Sequence, residues 1–234
     1  MTDPHTGLDP GTPLHEVQSR VIRCQRCPRL VEWRERVAKE KRASFAHERY
    51  WGRPVPGFGD PDARVFILGL APAAHGGNRT GRVFTGDRSG DWLFASLYRT
   101  GFANQPRSVG LDDGLRLDDA YIAAAVRCAP PANKPLPAER DNCLPYAREE
   151  LDLMPRVRVI LCLGGIAWDA ACRLLGVRPK PRFGHGAEVA LPEGRTLLGC
   201  FHPSQQNTFT GKLTEPMIDD VLARASEIAR EIRP

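Results

Sequence analysis

The sequence lacks any long hydrophobic run. Across its 234 residues no apolar stretch approaches the roughly 18 residues that a membrane-spanning helix needs, which excludes a helical membrane protein. Residues 1–13 have neither the positive start nor the apolar middle of a secretory signal peptide, so we expect a cytoplasmic protein with no membrane partner. This opening segment is rich in Pro, Gly, Asp and Thr and is predicted to be a disordered tail.

Internal repeats and low-complexity tracts are also absent. The chain is long enough for one sizeable core but short for two, so residues 14–234 are predicted to form a single domain. No GxGxxG or Walker motif is present, which argues against a nucleotide-binding glycine loop. Lys and Arg number 33 against 28 Asp and Glu, and the resulting net charge of +5 is compatible with a polyanionic partner.

Short apolar runs alternate with helical segments. Predicted strands cover residues 63–68, 121–126, 157–163 and 195–201, and predicted helices cover residues 14–24, 30–48, 91–98, 137–153, 165–175 and 215–232. This alternation predicts an α/β fold, a three-layer α/β/α sandwich around a central four-stranded, mostly parallel sheet. Function gathers at the carboxyl ends of such strands, here residues 69–87, 127–134 and 202–214.

Seven cysteines in a cytoplasmic chain argue against a disulfide framework. Three lie in apolar or Ala/Leu-rich segments and are predicted to be small buried side chains: Cys162, Cys172 and Cys200. The other four are Cys24 and Cys27, which form a CxxC, and Cys128 and Cys143, which do not. A simple zinc ribbon therefore fits poorly. Spacing alone leaves open a [4Fe–4S] cluster, a zinc ion, or unligated buried thiols.

Four sequence blocks fall at the predicted strand ends. They are Gly69-Leu-Ala-Pro-Ala-Ala-His-Gly76, Gly81-Arg-Val-Phe-Thr-Gly-Asp87, Cys128-Ala-Pro-Pro-Ala-Asn-Lys134 and His202-Pro-Ser204. With these blocks in this order, together with the four cysteines, the sequence resembles the uracil-DNA glycosylase superfamily, specifically its type B (family five) iron–sulfur branch. The resemblance runs from about residue 24 to the C-terminus.

The resemblance implies a base-excision-repair enzyme. Such an enzyme hydrolyses the N-glycosidic bond of uracil in DNA, and we expect hypoxanthine, xanthine, ethenocytosine and hydroxymethyluracil to be further substrates, each leaving an abasic site. It also implies a [4Fe–4S] cluster held by Cys24, Cys27, Cys128 and Cys143. We expect a monomer in the nucleoid-associated pool of a prokaryotic cytoplasm, with DNA containing deaminated bases as its partner. The alternative is a non-catalytic iron–sulfur protein that binds lesions.

The resemblance also assigns roles to individual residues. His202 would donate a hydrogen bond to a base oxygen as negative charge develops, and Asp87 and Asn133 would hold water or stabilise the sugar cation. Phe84 would stack on the flipped base. Without the resemblance, His202 and Asn133 would be interpreted as loop residues, Asp87 as a turn or helix-start residue, and Phe84 as part of the core.

Further residues are predicted to contact substrate or DNA. The substrate-binding set is Gly69, Leu70, Ala71, Ala73, His75, Phe84 and Ser204. In the polar segment 204–213, Gln205, Gln206 and Asn207 are predicted to include a wedge that fills the gap left by the flipped base, and Lys212 to lie near phosphate. The alternative for this segment is an ordinary surface loop, and His75 would otherwise be a simple exposed side chain.

One departure from other branches of the superfamily concerns base recognition. The first loop has no Asp, Asn or Glu among Leu70, Ala71 and Ala73, and the second strand carries Ala124 where a related branch uses an asparagine to read uracil. Both changes match the type B pattern. We therefore expect stabilisation of the leaving base to dominate catalysis, and discrimination among bases to be weak.

Overall fold

A central sheet of six strands organises residues 8–231, the part of the chain that the structure, a computed structural model, describes. The strands are β1 (Phe58–Gly59), β2 (Val65–Gly69), β3 (Ala120–Ala124), β4 (Val159–Leu163), β5 (Glu188–Ala190) and β6 (Thr196–Cys200). Their order across the sheet is β1-β3-β2-β4-β6-β5. The inner four are parallel, and the two outermost strands are antiparallel to their neighbours.

The α/β class is confirmed, but the predicted number of four strands is wrong. The four predicted strands are the parallel inner ones, and each is buried along its whole length, which explains their apolar runs. The two missed strands lie at the edges of the sheet. β1 has two residues in a Pro/Gly-rich segment, and β5 has three residues, two of them exposed, so neither produces an apolar run.

Eight helices connect and cover the strands in the described residues. They are α1 (Pro13–Ile22), α2 (Pro28–Glu40), α3 (Gly77–Thr80), α4 (Arg88–Arg99), α5 (Pro137–Asp152), α6 (Gly165–Leu174), α7 (Gln205–Phe209) and α8 (Glu215–Arg230). Helix α2 is shorter than predicted because Lys41 adopts a left-handed φ of 58°, which ends the helix. Within residues 8–231, no helix combines the length and apolar character that crossing a bilayer requires.

Two hydrophobic cores lie on opposite faces of the sheet. Alternation along β2 sends Val65 and Ile67 to one core, with α4 and α8, and Phe66 and Leu68 to the other. The second core contains side chains of α5 and α6, including the fully buried Trp168. Helices therefore cover both faces, as the predicted three-layer sandwich requires.

The predicted tail, residues 1–13, is only partly within the described residues. Residues 1–7 lie outside them, while Leu8 is buried against the second core. Helix α1 begins at Pro13, and the Thr12 side chain caps it by accepting a hydrogen bond from the His15 N–H. Leu8 therefore already contributes to the packed structure.

The three cysteines predicted to be small buried side chains are confirmed as buried. Cys162 and Cys200 have no exposed surface, and Cys172 is 3% exposed. Burial raises the pKa of Cys200 to about 12, so this thiol stays protonated at neutral pH. These side chains act as packing groups.

Candidate functional site

Parallel pairing brings three loops to the same end of the sheet. Strands β2, β3 and β6 run in one direction, so the segments after Gly69, Ala124 and Cys200 all start at their carboxyl ends. Backbone pairing continues past the strands, because the Val126 N–H donates to the Leu70 carbonyl at 2.9 Å. The loops that the sequence singles out therefore all begin at the same edge of the sheet, as predicted.

Phe84 and His202 form the centre of this region. Their ring centroids are 5.9 Å apart, with the planes tilted by 37°. Phe84 has a left-handed φ of 51°, a strained backbone conformation for a bulky residue. Its ring lies so close to Gly69 that a Cβ there would approach it to 2.7 Å. Glycine at the end of β2 thus lets the aromatic ring reach the carboxyl end of the sheet.

His202 lies in a desolvated position. Burial lowers the pKa of His202 to about 4, so its imidazole is neutral at pH 7. Gly164, with a φ of +93°, lies directly behind it, and a Cβ at that glycine would come within 3.1 Å of the His202 Cβ. A neutral histidine of this kind can donate one hydrogen bond to a ligand without carrying a charge.

The loop after His202 is fixed by two of the residues predicted to contact ligands. Asn207 donates through Nδ2 to the His202 carbonyl at 2.8 Å. Ser204 caps helix α7, with its Oγ accepting from the Asn207 N–H at 3.3 Å. Gln205 and Gln206 are exposed. The wedge segment therefore divides into two outward-facing glutamines and one asparagine whose side chain braces the histidine loop.

The first loop, residues 70–76 after β2, offers backbone donors. Within residues 8–231, the N–H groups of Leu70, Ala71 and Ala73 find no acceptor, so they are free to bind a ligand. The Ala73 carbonyl, in contrast, accepts from the Asn78 N–H at 3.1 Å. The loop thus presents amides in place of the missing carboxylate or amide side chain.

Asp87 lies at the base of the first loop. Its Oδ1 accepts from the Gly90 N–H at 3.0 Å, which makes it the N-cap of α4, whereas Asp91 lies in the first turn. A Cβ at Gly76 would come within 2.2 Å of the second oxygen, Oδ2, so this carboxylate packs against the loop. Burial is the main cause of the raised pKa of Asp87.

His75 is held from two sides. Its Nδ1 lies 3.0 Å from the hydroxyl of Tyr50, which is buried and also accepts from the Arg42 N–H. Arg79 donates to the His75 carbonyl at 2.8 Å and to the Gly86 carbonyl at 3.1 Å. This guanidinium therefore ties the first loop to the segment that precedes Asp87.

Asn133 lies in the loop that follows β3. It is exposed, ends the 3-10 turn Pro131–Asn133 and has a left-handed φ of 56°, a conformation that asparagine tolerates well. Its side chain makes no hydrogen bond within residues 8–231. The structure thus brings Gly69, Phe84 and His202 together, and leaves Asn133 on the surface of the neighbouring loop.

All four remaining cysteines line one cavity. Cys24 follows α1, Cys27 is the N-cap of α2, Cys128 follows β3, and Cys143 lies within α5. Among the described residues, no three His, Cys, Asp or Glu side chains converge closely enough to hold a single metal ion.

Nitrogen donors reach three of these sulfurs, and one of them is the Asn142 side-chain amide, which donates through Nδ2 to the Cys27 Sγ at 3.7 Å. Arg34, which is 3% exposed, donates through Nη1 to the Cys128 Sγ at 3.1 Å. The Arg127 N–H donates to the Cys143 Sγ at 3.2 Å. Hydrogen bonds of this kind surround the thiolates of iron–sulfur sites, where they balance negative charge and tune the cluster. Four cysteine thiolates are the ligand set that [4Fe–4S] clusters use, so the chemistry of these residues fits such a cluster.

Comparison with known proteins places this arrangement in a family. The model of the uracil DNA glycosylase superfamily matches residues 56–225, which include the first loop, the Phe84 segment and the His202 loop. The chain belongs to the uracil DNA glycosylase superfamily. This family and the observed sheet with helices on both faces agree with the predicted fold class.

Relatives within the superfamily identify the branch. The chain is 56% identical to a type-5 uracil-DNA glycosylase of Mycobacterium tuberculosis over 92% of this chain and 81% of the relative. It is 53% identical to one of Thermus thermophilus, over 88% and 94%. A type-4 uracil-DNA glycosylase of Thermotoga maritima is only 27% identical, over 76% and 84%. The higher identity to the type-5 proteins confirms the predicted branch.

One surface feature of this superfamily member was missed from sequence. Phe209, the last residue of α7, is 66% exposed, and the exposed Arg88 guanidinium stacks 4.4 Å above its ring. Gln205, Gln206 and the exposed Lys212 lie in the same segment. A single phenylalanine within a polar stretch gave the only sequence signal, since the contact with Arg88 depends on the packing of α4 beside α7.

Proposed function

We propose that this chain removes uracil and other deaminated or damaged bases from DNA by hydrolysing the N-glycosidic bond, leaving an abasic site. The additional bases are hypoxanthine, xanthine, ethenocytosine and hydroxymethyluracil. Type-5 uracil-DNA glycosylases that are 53% and 56% identical to the chain support the activity on uracil. The observation that carries the proposal is the neutral, desolvated His202 facing Phe84 at the carboxyl end of the sheet.

His202 would stabilise the departing base. Uracil leaves as an anion, so a donor placed at a base oxygen gains strength as the bond breaks. With a pKa of about 4, His202 is neutral at pH 7 and donates its N–H without transferring a proton. The free amides of Leu70, Ala71 and Ala73 add further donors from the first loop. Together these groups supply the stabilisation that leaving-group catalysis requires.

Phe84 would hold the flipped base, whereas Asp87 and Asn133 would act on the sugar side of the reaction. Phe84, held against Gly69, offers a face on which the flipped base stacks. Asp87 keeps one carboxylate oxygen against the first loop, and Asn133 has an exposed side chain in the loop after β3. We assign both to holding the attacking water or stabilising the cation-like sugar.

Broad base specificity follows from the lack of base-reading side-chain amides in the described loops. Backbone amides and Ala124 replace side-chain amides that would be left unpaired by the wrong base. A site without such groups rejects other bases weakly. All the residues named here come from one chain, so a monomer suffices for the proposed reaction.

The decisive measurement is turnover on defined lesions. Purified protein, in EDTA and without added metal, is incubated with labelled duplexes that carry U:G, hypoxanthine:T or an intact pair, and alkali then reveals abasic sites. We expect multiple-turnover release of both lesions and none from the intact pair. Release of uracil alone would keep the glycosylase and reject the broad pocket. Tight binding without release would establish the non-catalytic alternative.

We further propose that Cys24, Cys27, Cys128 and Cys143 hold a [4Fe–4S] cluster. Their shared cavity and the N–H donors at three of the sulfurs, one of them from the buried Arg34, support this assignment. When bound, the cluster would brace the end of α1, the start of α2 and the middle of α5 against the loop after β3.

Cys24→Ala is expected to lose iron, visible absorbance and solubility together, because four segments lose their common anchor. The matched control is Cys172→Ala, which removes a buried thiol of α6 outside this cavity and should retain full iron content. Iron and zinc are measured by elemental analysis of protein purified without oxygen. Stoichiometric zinc in the wild-type protein, or a Cys24→Ala variant that retains iron, would contradict the assignment.

The exposed surface of α7 is our proposed wedge, formed by Gln205, Gln206 and Phe209, with Lys212 and Arg88 near phosphate. Phe209→Ala should slow excision from duplex DNA by about fivefold to a hundredfold, the range for loss of one base–aromatic stack. Excision from single strands should change less, since no gap has to be filled.

Val109→Ala is the control for the wedge, because Val109 is 63% exposed on a different loop. Single-turnover rates on duplex and single-stranded uracil substrates are compared for both variants. Equal losses on the two substrates in Phe209→Ala would reject the wedge.

A further inference from the structure

His75 has a defined hydrogen-bond partner that the catalytic proposal does not use. The Tyr50 hydroxyl lies 3.0 Å from His75 Nδ1, and the two rings meet edge to face with centroids 6.0 Å apart. Tyr50 is only 7% exposed, so the hydroxyl is shielded from bulk water. The Arg42 N–H donates to the same hydroxyl oxygen at 3.3 Å.

These contacts determine which ring nitrogen carries the proton. The Arg42 N–H can only donate, so the Tyr50 oxygen accepts there and its own hydrogen remains to be placed. Within residues 8–231, His75 Nδ1 is the only acceptor in reach of that hydrogen. A shielded hydroxyl hydrogen without an acceptor would be costly, so Nδ1 accepts and the proton of a neutral His75 is on Nε2.

The surroundings also keep the ring neutral. Burial lowers the pKa of His75, and the positive charges of Arg42 and Arg79 lower it further. In the described part of the chain, Nε2 has no protein partner, and the ring is partly exposed. The result is a single N–H donor directed away from Tyr50.

This donor lies beside the proposed site. His75 directly precedes Gly76, against which the Asp87 carboxylate packs, and Arg79 ties the His75 carbonyl to Gly86. A nucleotide lodged between the first loop and Phe84 would therefore pass close to the imidazole edge.

We propose that Tyr50 is a positioning residue that fixes His75 as a neutral Nε2–H donor, and that this donor binds an acceptor oxygen of the extruded nucleotide. The binding step rests on the proposed function, whereas the tautomer does not. The oxygen has two possible sources, the exocyclic carbonyl of the base and a flanking phosphodiester.

If the acceptor oxygen is the exocyclic carbonyl of the base, the His75 donor would distinguish deaminated bases from their undamaged parents. Deamination replaces an exocyclic amino group, a donor, with a carbonyl oxygen, an acceptor. A fixed donor at Nε2 would accept the deaminated base and meet a second donor on the undamaged parent. This distinction applies equally to pyrimidines and purines, which suits a site that otherwise discriminates weakly. The phosphate source would orient the strand without regard to the base.

The tautomer is tested on the ligand-free protein by long-range ¹H–¹⁵N NMR of the histidine rings. We expect the pattern of an Nε2–H imidazole for His75, and a mixture of tautomers in Tyr50→Phe, which keeps the packing but removes the hydroxyl. Tyr98→Phe is the matched control, because Tyr98 is 49% exposed and its hydroxyl makes no hydrogen bond within residues 8–231. An Nδ1–H pattern in the wild type, or no change in Tyr50→Phe, would overturn the proposal.

Single-turnover excision rates then identify which oxygen, that of the base or that of the phosphodiester, accepts the hydrogen bond from His75. Tyr50→Phe and His75→Ala should each slow single-turnover uracil excision by about threefold to tenfold, the effect of one hydrogen bond. If the base is the source, the loss in His75→Ala disappears on pyrimidin-2-one, which lacks the 4-oxygen. If the phosphate is the source, the loss disappears on a methylphosphonate flanking the uracil. Persistence of the loss on both analogues, or no loss on uracil, would overturn the binding step. A wild type that excises no base would instead reject the proposed function.

Discussion

Replacing His202 with alanine is expected to slow uracil excision about 100- to 1,000-fold, the effect of removing one donor aimed at developing negative charge. Burial lowers the pKa of this histidine to about 4, so its imidazole is neutral at pH 7 and can donate an N–H to the departing base. The loss should appear in the single-turnover rate at saturating enzyme. Binding of duplex DNA should change far less, because the exposed surface of α7 is untouched.

Two further variants distinguish hydrogen bonding from packing at this position. His202→Gln keeps an N–H donor and should recover part of the lost rate. His47→Ala, at an exposed histidine after α2, should leave the rate unchanged. A His202→Ala protein that excises uracil within about fivefold of the wild-type rate, a difference of about 1 kcal/mol, would show that leaving-group stabilisation comes from elsewhere.

Glu150→Ala is expected to lower the free energy of unfolding by about 3–5 kcal/mol, the cost of leaving a buried charge without its partner. Glu150 is 0% exposed and pairs with Arg127, which is 1% exposed, through Nη1 and Oε1 at 3.1 Å. Tyr121 also donates to Glu150 at 3.1 Å and accepts from Gln18 at 2.7 Å. Removing the carboxylate thus disrupts a polar network that joins α1, β3 and α5 beneath the cysteine cavity.

The neighbouring glutamate provides the control. Glu149 forms an ion pair with Arg20 in which both side chains are more than 40% exposed, so Glu149→Ala should cost about 1 kcal/mol or less. Urea unfolding of the purified holoprotein measures both variants. The double variant Arg127→Met, Glu150→Leu should recover much of the stability, since neither charge remains buried alone. Equal losses for Glu149→Ala and Glu150→Ala would contradict this account.

The inner strands were predictable because a strand that is buried on both faces consists of a continuous run of apolar residues. In β4, all five residues from Val159 to Leu163 are buried, and the run is apolar throughout. The edge strands β1 and β5 contain no such apolar run. Glu188 in β5 is exposed and charged, and only its pairing with β6 makes it a strand. Sequence periodicity detects burial, whereas an edge strand is defined by its neighbour.

The site shows the same division. The positions of Gly69 and His202 follow from the ends of apolar strands, and the resemblance supplied their expected roles. Tyr50, Arg34 and the bracing role of Asn207 could not be predicted, because each depends on a side-chain contact that the fold creates. Tyr50 meets His75 across a Pro/Gly-rich stretch, and Arg34 meets Cys128 across 94 positions. Such contacts depend on how each segment folds and packs against its neighbours.

The two outermost strands determine how easily another chain could pair with the edges of the sheet. An incoming chain that tried to extend the sheet would find only two residues of backbone along β1 and three along β5. On the β5 side it would also displace the ion pair between Arg224 and Glu188, whose Nε and Oε1 are 2.7 Å apart. Short, charged borders of this kind discourage strand-by-strand aggregation. The edges of this sheet are therefore poor templates for the addition of a further strand.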